Sequence, residues 1–169
     1  MSKTSIKSRV SRGSKRTTAA RRSAVRRPVV VRYVVRFLLG NGLGRSGASA
    51  ELLAQLRRGL PVSEVEELRA AMALRREELA PLLGISKATL HRRWAAGRFG
   101  AAESDRVARY ARLFGLATVG LESTELARGW LGSPQRGLGG AVPLQFAESE
   151  LGAREVEDLL LRSEHGVYS

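Results

Sequence analysis

The stretch that decides the fold runs from Arg76 to Gly97 and reads REELAPLLGISKATLHRRWAAG. Two helices joined by a tight turn need a small residue where they cross, and Ala80 supplies it. Four residues on, Gly84 offers a backbone free to take positive φ in the turn. Leu79, Leu83, Ile85 and Leu90 place apolar groups under the turn and along the second helix. Ser86 stands where that helix needs an N-cap, and its first-turn amides would then face an anion such as a phosphate. The exposed face carries Lys87, Thr89, His91 and Arg92, with Arg98 beyond it, and no acidic residue occurs from Ile85 to Ala102. The pattern predicts a helix-turn-helix whose second helix enters the major groove by its first residues. Lys87 and Thr89 are expected to reach bases, and Arg92, Arg93 and Arg98 to reach phosphates. Arg93 stands where such motifs often bury an aliphatic side chain, so Trp94 is expected to take the packing role. The competing reading is a plain helical hairpin with a basic solvent face. A single motif supplies few specific contacts, so a homodimer on an inverted repeat of operator DNA is expected.

Outward from this core, helix signals recur. Ser49 is expected to cap a helix through Arg58, with Leu52, Leu53 and Leu56 on one side and Gly59 and Pro61 ending it. Ser63 and Glu66 have the spacing of a capping box for a helix using Val65, Leu68, Ala71 and Met72. Further helices are predicted over Arg76–Leu83, Lys87–Ala96 and Ser104–Phe114, and from Ser123 or Thr124 to Trp130–Leu131. Pro143 suits the first turn of a short helix, and a last helix is expected over Ala153–Glu164 between Gly152 and Gly166. The Gly139–Gly140 pair reads as a turn, because no strand precedes it. The whole is an all-α protein.

Charge divides the chain. Met1–Ala50 holds 13 of the 29 basic residues and no acidic one, leaving 16 basic against 16 acidic in the remainder. Met1 to Arg27 is rich in Ser, Thr, Lys and Arg and too poor in apolar groups to offset ordering entropy. It reads as a disordered arm, either following DNA phosphates or simply solvated. Val29–Leu39 fits a helix or a strand equally. Aromatics make up 5% of the chain, so an aliphatic core is expected. There is no cysteine, and His91 and His165 match no metal-ligand spacing, so neither a metal site nor a cofactor is expected. No apolar run reaches the roughly 18 residues of a membrane span, and a cytoplasmic location is expected.

The helix-turn-helix, then ESDRVARYARLF, then LARGWLGSPQRGLGGAVPLQFAESELGAREVEDLLLRSEHGVYS resemble the Xre/MbcA/ParS-type antitoxins that accompany RES-domain toxins. The likeness covers Ser49–Ser169. Its specific signature is carried by Trp130, Leu131, Pro134, Leu138, Gly139, Gly140, Pro143, Leu144, Gly152, Val156, His165, Gly166 and Tyr168. The chain departs from the pattern at QFAESE (145–150) and in its long basic arm. The resemblance implies a central helix-turn-helix bundle followed by a small helical C-terminal toxin-binding domain. The division expected is a basic disordered arm over 1–28, an N-terminal helical or dimerisation segment over 29–62, the helix-turn-helix domain over 63–115 and the antitoxin domain over 116–169. It further implies neutralisation of an NAD-degrading RES toxin and repression of the chain's own operon. In this family the C-terminal end lies over the toxin's NAD-binding cleft, which carried over places Glu164, His165, Gly166, Tyr168 and Ser169 there.

Charge agrees with that reading. Gly140–Ser169 holds six acidic and two basic residues, suited to a pocket that binds a pyrophosphate. Tyr168 has an apolar body and a polar tip suited to a slot for a flat ring. No catalytic residues are expected: acidic residues such as Glu77 and Glu78 read as helix-end or surface charge. The alternative function is a free-standing Xre-like repressor whose C-terminal domain serves only in dimerisation.

Overall fold

The computed structural model describes residues 46–164. The arm over 1–28, the Val29–Leu39 stretch and residues 165–169 lie outside the described residues. Helix α1 spans Ser46–Arg58, α2 Val62–Ala71, α3 Leu79–Leu82, α4 Lys87–Ala96 and α5 Ala101–Gly120. Helix α6 spans Thr124–Gly132, α7 Pro143–Phe146 and α8 Glu150–Glu164. Short 3-10 turns at Arg76–Glu78 and Arg136–Leu138 precede α3 and α7. The described residues form no strand, only isolated bridges Pro61–Arg98 and Gln135–Ala141. The all-α expectation holds.

Helix α5 is the axis, packed against α1, α2, α6 and α8. Its inward face buries Val107, Leu113, Phe114 and Ala117. Val65 and Leu68 meet this core from α2, Leu83 and Leu90 from the helix-turn-helix, and Leu131, Val156 and Leu160 from the C-terminal half. The core is mostly aliphatic but not wholly so, since Phe99, Tyr110 and Phe114 are also buried.

Several local expectations are corrected. Ser49 does not cap α1, which begins at Ser46. Ser63 opens no capping box: α2 starts at Val62 after Pro61, with no side-chain cap. The Val62 amide donates to the Gly97 carbonyl at 3.1 Å, and Glu66 pairs with Arg69 instead. Tertiary pairing with the end of α4 therefore replaces the local cap. Ser104 does not start its helix, because α5 begins at Ala101, where the Glu103 carboxylate accepts from the Gly100 amide. Ser104 is fully buried, accepting from the Leu60 amide and donating to the Gly100 carbonyl, both at 2.7 Å. Finally, Leu53 does not share an inward face with Leu52 and Leu56, which are half-buried while Leu53 is exposed. Residues four apart align along a helix, whereas the adjacent position points about 100° away.

Helix α8 is clamped to α5 by arginines. The Arg112 side chain reaches Glu157 at 2.6 Å and Glu150 at 3.1 Å. Arg109 reaches Glu150 at 3.2 Å and the Glu148 carbonyl at 2.7 Å. Burial pushes the Glu150 carboxyl up, but hydrogen bonds and charge from Arg112 and Arg109 outweigh it and hold it below the usual carboxylate range. Gly152 lies inside α8, not at its start, and a Cβ there would stand 1.9 Å from the Phe146 carbonyl oxygen.

Two measurements follow from this packing. A helical Gly→Ala change normally stabilises by up to about 1 kcal/mol. Gly129→Ala in α6, with no atom within 4 Å of the new Cβ, should raise the urea midpoint accordingly. Gly152→Ala meets backbone and should instead destabilise by about 1–3 kcal/mol in the same titration. For Glu150, a lowered folded-state pKa means its contribution is complete above the ordinary carboxylate pKa and fades as pH falls through the lowered one. Glu150→Gln should therefore lose stability less steeply than the parent on acidification from about pH 5, read by urea unfolding at each pH.

Candidate nucleic-acid interface and partner surface

The turn before α4 is built as a reading head requires. Gly84 has φ +60°, and the Ile85 amide donates to the Ala80 carbonyl at 3.0 Å. Ala80, Leu79, Leu83 and Leu90 are buried, and Ile85 packs against them half-buried. Ser86 caps α4, accepting from the Thr89 amide at 3.1 Å. The helix ends at Gly97, with φ +73°. Lys87, His91 and Arg92 are exposed on α4, and Thr89 is half-buried beside them. The Thr89 hydroxyl accepts from Arg92 at 3.3 Å and from the Ser86 hydroxyl at 3.1 Å. Ser86, Lys87, Thr89, His91 and Arg92 thus gather at the start of α4 and along its exposed side.

Arg93 and Arg98 are placed otherwise. The Arg93 side chain binds the Glu103 carboxylate at 2.9 Å, and that carboxylate is 5% exposed at the start of α5. Arg98 follows the helix stop, where its guanidinium donates to the Gly59 carbonyl. Arg93 is thus committed to a buried carboxylate, while Arg98 is exposed and tied by one bond to the chain before α2. Trp94 does take the packing role: its ring meets Phe99 edge-on at 5.4 Å, with the Arg76 guanidinium 4.6 Å over its face. Sequence reasoning missed Glu103 and Arg106, whose guanidinium donates to the Leu83 carbonyl at 3.0 Å. Their partners lie 10 and 23 residues away, so no local spacing announces them.

The C-terminal half is fixed to this head. Ser123 caps α6 by accepting from the Leu126 amide at 3.2 Å. Arg128 of α6 donates to the Ala71 carbonyl at the end of α2, at 2.7 Å. Leu131 is buried and Trp130 half-buried against the core. Gly139 and Gly140 form a turn at positive φ, and their amides donate to the Arg136 and Gln135 carbonyls. With those amides occupied, the pair is no phosphate cradle. Pro143 opens α7 at its first turn. The open side of α8 shows Leu151, Arg154, Glu155, Asp158, Leu161 and Arg162 to solvent. Glu164 ends α8, and His165, Gly166, Tyr168 and Ser169 lie outside the described residues. Among the described residues, no group of His, Cys, Asp or Glu could hold a metal, and no helix is long and apolar enough to cross a membrane.

Comparison with known proteins matches both halves. Residues 51–112 match the antitoxin Xre-like helix-turn-helix domain, a span that begins within α1. Residues 116–166 match the antitoxin Xre/MbcA/ParS C-terminal toxin-binding domain. A Yersinia enterocolitica protein named antitoxin Xre is 34% identical over 121 residues, 70% of this chain and 81% of that protein. A Photorhabdus laumondii protein of the same name is 32% identical over 126 residues, 73% of this chain and 85% of its own length.

The geometry separates two neighbouring arginines. Arg92→Ala should lower the slope of log affinity for duplex DNA against log salt by about 0.9, one phosphate contact. Arg93→Ala should leave that slope unchanged and instead lower thermal stability, because it strands the buried Glu103 carboxylate. Fluorescence anisotropy across a salt series, with thermal melts alongside, reads both.

Proposed function

The chain belongs to the Xre antitoxin family, and from that premise we propose that it neutralises an NAD-degrading RES-domain toxin and represses its own operon. The C-terminal domain covers the toxin's active site with Glu164, His165, Gly166, Tyr168 and Ser169. The helix-turn-helix holds operator DNA as a two-fold dimer, through Ser86, Lys87, Thr89, His91 and Arg92. The protein works in the cytoplasm, is not an enzyme and needs no cofactor; NAD belongs to its partner.

The observation that carries this reading is a capped, basic α4 held on the same 20-residue α5 as a domain matched to toxin binding. Charge supports it as well. Residues 140–169 hold six acidic residues against two basic ones, although Glu150 and Glu157 are occupied by Arg109 and Arg112. Such a balance of charge suits a cleft that binds a pyrophosphate. The alternative, a free-standing repressor, would use the exposed side of α8 for dimerisation.

Co-expression with the RES-domain protein encoded beside this gene tests the proposal. The full chain should relieve the toxin's growth arrest, and removal of residues 167–169 should abolish relief while DNA binding persists. Equal rescue by both chains would refute the covering role of the terminal segment. Lys87→Ala with Arg92→Ala should abolish operator binding in a gel-shift assay and spare neutralisation. Absence of rescue by the full chain would favour the free-standing repressor.

A further inference from the structure

Arg75 and Arg76 stand side by side at the entry to the helix-turn-helix, both exposed, and the fold treats them differently. Arg75 is paired with Glu78 at 2.9 Å. Arg76 has no hydrogen bond or ion pair among the described residues, and its guanidinium lies 4.6 Å over the Trp94 ring. The carboxylate that feels its charge, Glu66, is occupied by Arg69 at 3.0 Å. Glu77 follows it in the chain about 120° round the 3-10 turn, and does not bond it.

A guanidinium laid on an aromatic face is attracted to the ring and keeps its N–H edges free. It has also already given up rotamer freedom that a loose arginine loses on binding. Such an edge fits two oxygens of a phosphate. The platform beneath it is itself fixed: Trp94 is half-buried and meets the buried Phe99 edge-on at 5.4 Å.

Placement on α4 decides what the edge meets. Trp94 follows Lys87 by seven residues, about 20° short of two full turns, so the two share one edge of the helix. Arg92 stands about 160° away from Trp94 round the axis. A helix roughly 10–12 Å across fills a major groove about 12 Å wide, so its two edges face the phosphates of opposite strands. We propose that Arg76 on its Trp94 platform is a phosphate clamp on operator DNA, gripping the strand opposite the one that Arg92 contacts, with Trp94 as its positioning residue. The clamp rests on the DNA-binding reading of the helix-turn-helix, and it brings the segment before α3 onto the duplex together with α4.

The test uses the full chain and a fluorescein-labelled duplex of the sequence immediately upstream of its own gene, read by anisotropy across a salt series. Arg76→Ala should lower the slope of log affinity against log salt by about 0.9, one phosphate, and Arg76→Ala with Arg92→Ala by about 1.8. Arg75→Ala removes the same charge one residue away and should keep the parental slope, because that guanidinium is taken by Glu78. Trp94→Leu should weaken binding about threefold, and Trp94→Phe should restore it. In the Arg76→Ala background Trp94→Leu should cost nothing further, whereas a tryptophan with only a packing role would cost as much there as in the parent. Lys87→Ala reports whether α4 is on the DNA. If it binds like the parent, the DNA-binding reading itself fails. If it weakens binding while Arg76→Ala keeps the parental slope, or while Arg75→Ala lowers it equally, the clamp alone is overturned. Additive losses from Arg76→Ala and Trp94→Leu overturn the clamp as well.

Discussion

Everything in this molecule hangs from ten residues of one helix. Between Glu103 and Arg112, α5 holds the reading helix through the Glu103–Arg93 pair and the strand-like crossing through Ser104 and the Leu60 amide. The same stretch holds the turn through Arg106 on the Leu83 carbonyl, and α8 through Arg109 and Arg112. Most of these bonds are charge-assisted, and those nearest the core are shielded from water, where an unpaired partner is costly. The apolar face of α5 supplies the burial, while its polar edge dictates where each neighbouring element must sit.

What the sequence made legible were the elements with a chemical marker at their own ends. Ser86 marked the start of the reading helix, Gly84 the turn, Ser123 or Thr124 the start of α6 and Pro143 that of α7, and Ser86, Gly84, Ser123 and Pro143 behave as their local chemistry dictates. Several of the errors lie where a polar or charged residue was taken by a distant group. Ser63 lost its role to the pairing of Val62 with Gly97, and Ser104 serves an amide 44 residues away. Arg93 read as a free cation because Glu103 sits just beyond the acid-free run that made α4 look uniformly basic.

At the candidate site the division is similar. The start of α4 was legible because a cap and a row of exposed cations are neighbours in sequence. Three C-terminal signature glycines have structural roles that spacing alone does not disclose. Gly152 is there because the Phe146 carbonyl leaves no room for a side chain, and Gly139 and Gly140 because the turn needs positive φ.

Helix α5 also runs unbroken through residues 113–115, the gap between the two matched domains. The halves are therefore joined by a rigid shaft and not by a hinge. One added residue in that shaft would turn the C-terminal half by about 100° relative to the reading head. It would carry Arg128 away from Ala71. Modules exchanged among such proteins must consequently be spliced in helical phase, with the angular register between DNA and partner preserved along with the domains themselves.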